Sequence, residues 1–153
     1  MRISLFLLFI FSLPGSTSHA SLGGDEETIK TEVSSLHLQR TLTSNTKYSL
    51  HSLTGRGLKL HQFMGSNHKV FAIAWQGKTH PDFSVVMGTH LPEFEQALAQ
   101  SKQSNSRQRA RGGPINVDVG DFHLEMGGHM MAVSGRAWIT SQLPRGVEKN
   151  ELH

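Results

Sequence analysis

Cysteine is absent from all 153 residues of the chain. No disulfide can staple the fold, no thiol can serve as nucleophile, and no thiolate can bind metal. The same absence excludes a cysteine-linked lipid anchor. Aromatic residues are few, with two Trp and one Tyr, so a core this small is expected to take its large aromatics inside. Beyond residue 13 no apolar run approaches the roughly 20 residues that span a bilayer as a helix. Acidic residues are missing from 102–111, where Lys102, Arg107, Arg109 and Arg111 outnumber the chain's net charge of +3. A nucleic-acid surface would spread its cations along a structured face, with aromatics between them. Here they sit in a Ser/Gln/Asn-rich stretch that reads as a solvated loop over 101–113, with contact to acidic envelope polymers or phosphates as the alternative. No nucleic-acid partner is expected.

What is present begins with an export signal. Arg2 supplies charge, Ile3 to Leu13 is apolar apart from Ser4 and Ser12, and Pro14-Gly15 breaks the helix. Ser18-His19-Ala20 then offers small residues to a signal peptidase. Residues 1–20 therefore read as a signal peptide, with cleavage leaving Ser21 first. The remaining 133 residues (153 less 20) suit one domain in the periplasm or outside the cell.

Residues 21–46 form a polar leader, partly helical. Asp25 is a candidate cap, and Ile29, Val33, Leu36 and Arg40 fall along one side. With three apolar positions, that helix is expected to be mobile or loosely docked. The domain proper runs over 47–147. Tyr48–Leu53 and Leu58–Met64 alternate around Thr54-Gly55-Arg56-Gly57, a hairpin. Val70–Trp75 is apolar on both faces and reads as a central, doubly covered strand. Alternation puts Phe71, Ile73 and Trp75 on one face and Val70, Ala72 and Ala74 on the other, where a helix could approach closely. Phe83, Val86, Met87, Leu91, Phe94 and Leu98 have helical spacing, with Asp82 as a cap. Gly88 and Pro92 predict two short helices or one bent one. Ile115–Val119 is a short strand.

The closing hairpin is the best-specified element. Phe122–Met126 and His129–Ile139 flank Gly127-Gly128, taken as the turn. Phe122, Leu124, Met126, Met131, Val133, Ala137 and Ile139 then share one face; His123, Glu125, Met130, Arg136 and Trp138 share the other. Residues 148–153 are expected to be a flexible tail. The order is three strands, a helical segment, then two to three strands. That is an α+β fold, a small antiparallel sheet with helices packed on one face.

Catalytic constellations are weak. There is no Gly-x-Ser-x-Gly elbow, and Ser134-Gly135 lies within a strand. Glu93 and Glu95 are a helix-surface pair. The glycine-rich pieces lack the strand-before, helix-after context of nucleotide loops. Nine histidines follow Ala20, but none has the His-x-x-x-His spacing of zinc enzymes. In the simplest registers His51 faces Leu60 and His61 faces Leu50, on opposite faces, and His123 and His129 likewise diverge. A metal site would have to be assembled from distant loops such as those of His68, His80 and His90. No cofactor and no specific metal site is expected. An interface is the remaining candidate, with Arg136 and Trp138 on one face and His129 nearby. Its alternative is that both Trp residues are core and Arg136 covers an apolar rim.

Several motifs carry a resemblance. Leu22-Gly23-Gly24, Val70-Phe71-Ala72-Ile73-Ala74-Trp75-Gln76-Gly77 and Pro81-Asp82-Phe83 resemble an uncharacterised family of exported proteobacterial proteins. So do Gly127-Gly128-His129-Met130, Gly135-Arg136-Ala137-Trp138, Leu143-Pro144 and Gly146-Val147. Lys78 and Met126 depart from the family's usual Pro and Ser. The resemblance implies a Gram-negative source and export, and supplies no catalytic residues. The expected function is a non-enzymatic binding or assembly module of the periplasm or cell envelope, with an envelope protein as partner. A histidine-based metal-binding protein is the alternative, and a small hydrolase a weaker one.

Overall fold

The structure, a computed structural model, describes residues 22–104 and 113–153. The expected signal peptide and most of the basic loop lie outside the described residues. Seven strands form one antiparallel sheet: β1 (Gln39–Ser44), β2 (Ser49–Gly55), β3 (Leu58–Met64), β4 (Val70–Gly77), β5 (Ile115–Val119), β6 (Phe122–His129) and β7 (Ala132–Ile139). Their spatial order is β1-β2-β3-β4-β7-β6-β5, so two meanders meet where β4 pairs with β7. The sheet is larger than three plus two to three strands. The addition is β1, read from sequence as part of the polar leader. It is an edge strand whose side chains are nearly all exposed, and so it carries no apolar alternation.

The helices are α1 (Glu26–Leu36), α2 (Phe83–Val86) and α3 (Leu91–Ser104), with a 3-10 turn over Gly88–His90. Asp25 and Asp82 cap α1 and α2 by accepting from Thr28 N and Ser84 N. Pro92 stands in the first turn of α3, where its missing N–H is not needed. The first residues of the expected basic loop, 101–104, belong to α3.

All three helices cover one face. Ile29 of α1, Val86 of α2 and Phe94 and Ala97 of α3 pack with Leu53, Leu60, Ile73, Trp75, Leu124, Ala137 and Ile139 of the sheet. The leader is thus docked: Ile29 and Glu32 are buried, and Leu22 is tied to α2 by its N–H to Val86 O, 3.0 Å.

The helices choose the large-residue face of β4, contrary to the close approach expected at its alanines. A bulge in β4, opposite Phe63 and Met64 of β3, pairs Met64 with Val70, and Phe71 joins the opposite face. That second face has its own core of Phe63, Phe71, Ala72, Ala74, Trp138, Val147 and Leu152. The C-terminal residues supply its cover. Residues 148–153, expected to fray, form a 3-10 turn over Lys149–Glu151 and bury Leu152 completely. The apolar floor around Trp138 needs a lid, and Leu152 is that lid.

Both hairpin turns lie further along the chain than expected, the first by one residue and the closing one by three. Arg56-Gly57 is the first turn, pairing His51 with Gln62 and His61 with Ser52. The closing turn is Met130-Met131, with His129 paired to Ala132, not Gly127-Gly128. Those glycines serve the ladder: a Cβ on Gly128 would meet the Ala132 carbonyl oxygen at 2.2 Å. A turn three residues later moves every partner by six, an even number, and so preserves the faces of Phe122, Leu124, Met126, Ala137 and Ile139. Met131 leaves its expected face and becomes a turn residue.

Candidate functional site: a cleft across the sheet

Antiparallel register stacks side chains into rows that cross the strands. Leu50, Phe63, Ala72, Trp138, His123 and Asp118 form one row on the second face. The next is Ser52, His61, Ala74, Arg136, Glu125 and Asn116. A third is Lys59, Gln76, Ser134 and Gly127. The C-terminal segment lies on the first row and stops at the second.

The second row grips that segment. Arg136 donates from Nη1 to Lys149 O at 2.6 Å, while its Nε and Nη2 meet Glu125 Oε2 at 2.8 and 2.5 Å. His61 Nδ1 lies 2.8 Å from His153 O, so the ring donates there. From the neighbouring turn, Lys47 donates to Gly146 O and pairs with Glu151 at 3.1 Å. Every contact to the segment's backbone ends on a carbonyl, which suits cationic and N–H donors.

Beyond the grip the face opens into a cleft of about 580 Å³, within the range of ligand sites. Its floor is low because Ala74 and Gly127 carry little or no side chain. Lys59, Gln76, Ser134 and Asn116 line it, and none of these side chains bonds another described residue. Leu152 and His153 close one side.

The cleft's charges are uneven. Burial pushes the Glu125 carboxyl up, but Arg136 and His123 outweigh it and hold it below its usual range. Arg136 and Glu125 neutralise each other, which leaves the Lys59 ammonium as a cation of the cleft with no ion-pair partner among the described residues. His123 bridges Asp118 and Glu125 and stacks on Trp138, ring centroids 4.0 Å apart. Burial lowers the pKa of His61, and the His153 carbonyl opposes that shift.

The sequence candidates are distributed as follows. Arg136 and Trp138 do share a face, with the guanidinium 5.5 Å from the ring. Trp138 is 4 % exposed and Trp75 2 %, so both are core residues. His129 stands apart at the far end of β6, six residues along the strand from His123, or about 20 Å. The two share one strand rather than facing away across a hairpin. Among the described residues no three His, Asp or Glu side chains converge on a metal position. Nor does any Ser or Thr hydroxyl bond a histidine among them. Lys59, Gln76 and Asn116 escaped the sequence reading because nothing in their local pattern sets them apart. The usable signal was Glu125 and Arg136, opposite charges on one face of one hairpin.

The class defined here is an α+β domain: one antiparallel sheet, helices on one face, and a cleft of mixed polar and apolar lining on the other. The chain belongs to the family described as "protein of unknown function (DUF2844)", which matches residues 18–152. No curated protein and no solved structure matches it. Among the described residues no helix is long and apolar enough to cross a membrane.

Proposed function

We propose that the chain is an exported, non-enzymatic binding or assembly module of the cell envelope, and that the cleft holds a polar segment of an envelope protein. The row Lys59, Gln76, Ser134 carries this reading. Three adjacent strands present side chains with donors and acceptors, none engaged with another described residue, over a floor cleared of bulk. Such groups gain most from a partner that pairs them, and the shallow floor lets it approach. Arg136 contributes by closing one end of the cleft rather than by offering a free guanidinium.

The test is a photo-reactive side chain placed at Gln76 and, as a control, at Glu95 on the helix-covered side. Illumination in the protein's own envelope is followed by mass spectrometry. A reproducible partner from position 76 alone is expected. Equal capture from both positions, or none from either with the protein folded and abundant, overturns the cleft reading. Export is tested separately: the mature protein should begin at Ser21.

A further inference from the structure

The least explained residues on the surface lie at the tip of the β6–β7 hairpin. Met130 is 89 % exposed and Met131 60 %, and Leu42 is the other exposed large hydrophobic among the described residues. Scattered apolar residues on a surface need no explanation, but two in succession at a turn are unusual. Tight turns favour Asn, Asp and Gly. Met131 has φ 68°, a left-handed conformation that costs a side-chain-bearing residue energy. Strain of this kind points to a use for the side chain.

His129 adds the second observation. Its Nδ1 lies 3.1 Å from Met130 O. A carbonyl only accepts, so Nδ1 carries the proton and Nε2 keeps its lone pair. A histidine that binds metal is commonly held by this arrangement: one ring nitrogen donates to a backbone carbonyl and the other faces the ion.

We propose that His129 Nε2 and the thioethers of Met130 and Met131 form a binding site for a soft monovalent metal ion of the Cu(I) class. Thioether donors select Cu(I) among biological metals, and imidazole accompanies them readily. Hard cations prefer carboxylate and carbonyl oxygens, and residues 127–132, Gly-Gly-His-Met-Met-Ala, contain no carboxylate. No cysteine exists in the chain to compete as a softer ligand. Reach is not limiting: consecutive Cα atoms are about 3.8 Å apart, and Met has three rotatable side-chain bonds. Gly127, Gly128 and Ala132 keep the neighbouring positions free of bulk. This site is independent of the cleft and stands or falls without it.

The experiment is anaerobic titration of the mature protein with Cu(I) against a chromophoric Cu(I) chelator. Ag(I) serves as the redox-inert probe of the Met ε-methyl resonances. One Cu(I) per chain is expected, with shifts in both tip methyls. Met130→Leu, Met131→Leu and His129→Gln should each weaken binding by at least about tenfold. Leucine retains the apolar surface, so a tip that serves only as an apolar contact for a partner would not distinguish these variants. Met131→Gly should raise the melting temperature by about 2–4 °C while weakening Cu(I) binding, because it relieves the backbone and removes a ligand. Absence of Cu(I) binding, or binding that survives the Met130→Leu/Met131→Leu double variant, overturns the proposal. Circular dichroism confirms folding in each case.

Discussion

Gln62 Nε2 of β3 donates to Glu32 Oε2 of α1 at 2.5 Å in the interior, while Glu32 Oε1 and the Gln62 amide oxygen have no hydrogen-bond partner. Both residues are almost fully buried, at 1 % and 0 % exposure. Burial pushes the Glu32 carboxyl up to about 8, with the Gln62 bond opposing the shift. The folded state therefore holds a proton that the unfolded chain releases near pH 4.5. Stability from this group is complete below pH 4.5, falls as pH rises, and is lost once pH passes the folded value near 8. The loss across that window is on the order of 5 kcal/mol. Urea unfolding at pH 6 and pH 9 should show a marked fall for the native chain and a much smaller one for Glu32→Gln. Equal falls would mean that Glu32 is ionised in the folded protein.

His51, His61 and His80 act in the opposite direction. Burial lowers all three, and Arg40 adds to the effect at His51. A histidine held neutral stabilises the fold above the unfolded pKa of about 6.5 and loses that contribution as pH falls below it. Stability should therefore also decline on acidification. His51→Gln should flatten the acid limb and leave the alkaline limb unchanged in the same unfolding series.

Gly135 of β7 lies opposite Trp75 of the neighbouring strand β4. A Cβ there would fall 2.3 Å from Trp75 Cζ2, and that ring is 2 % exposed with little room to move. Gly135→Ala is expected to cost about 1–3 kcal/mol by overpacking. A denaturant midpoint equal to that of the native chain would show that the sheet relaxes at no cost.

The C-terminal segment should behave as part of the domain. Leu152→Ala removes a fully buried side chain and is expected to destabilise by about 2–5 kcal/mol. Arg136→Ala frees Lys149 O and leaves Glu125 with His123 as its remaining hydrogen-bond partner. Amide exchange over 147–153 should then accelerate more than exchange in β3. Uniform acceleration across the sheet would mean that Arg136 supports the fold as a whole rather than the strap.

Capping offers a smaller, cleaner check. Asp25→Ala deletes the bond from Thr28 N, 3.1 Å, and should cost about 0.5–2 kcal/mol. If α1 is held by Ile29 and Leu22 alone, the change will be below measurement.

Much of the architecture was legible in the chain. The caps at Asp25 and Asp82, the break near Gly88, the central strand at Val70 and the faces of the closing hairpin follow from spacing and turn chemistry. Turn position was harder. Gly127-Gly128 is the stronger turn signal, yet pairing Glu125 with Arg136 requires the turn at Met130-Met131, and the ladder tolerates only glycine at 128. The bulge in β4 opposite Phe63 and Met64 was hidden as well, because one extra residue sends Phe71 to the other face without altering composition. β1 escaped because an exposed edge strand is held by its backbone bonds to β2, and its side chains record little of that.

The sequence alone decided what each segment could be: its period, its caps, its two hairpins and the export signal expected at residues 1–20. Those properties depend on residues a few positions apart. Tertiary structure decided which strands became neighbours. Only the pairing of β4 with β7 brings Lys59 and Gln76 into line with Ser134, and Ala74 beside Arg136. Only the return of Leu152 over Trp138 turns one half of that face into core and leaves the other half as a cleft. Rows across a sheet join residues from distant parts of the chain. No local pattern encodes them until the packing of the whole core selects the strand order.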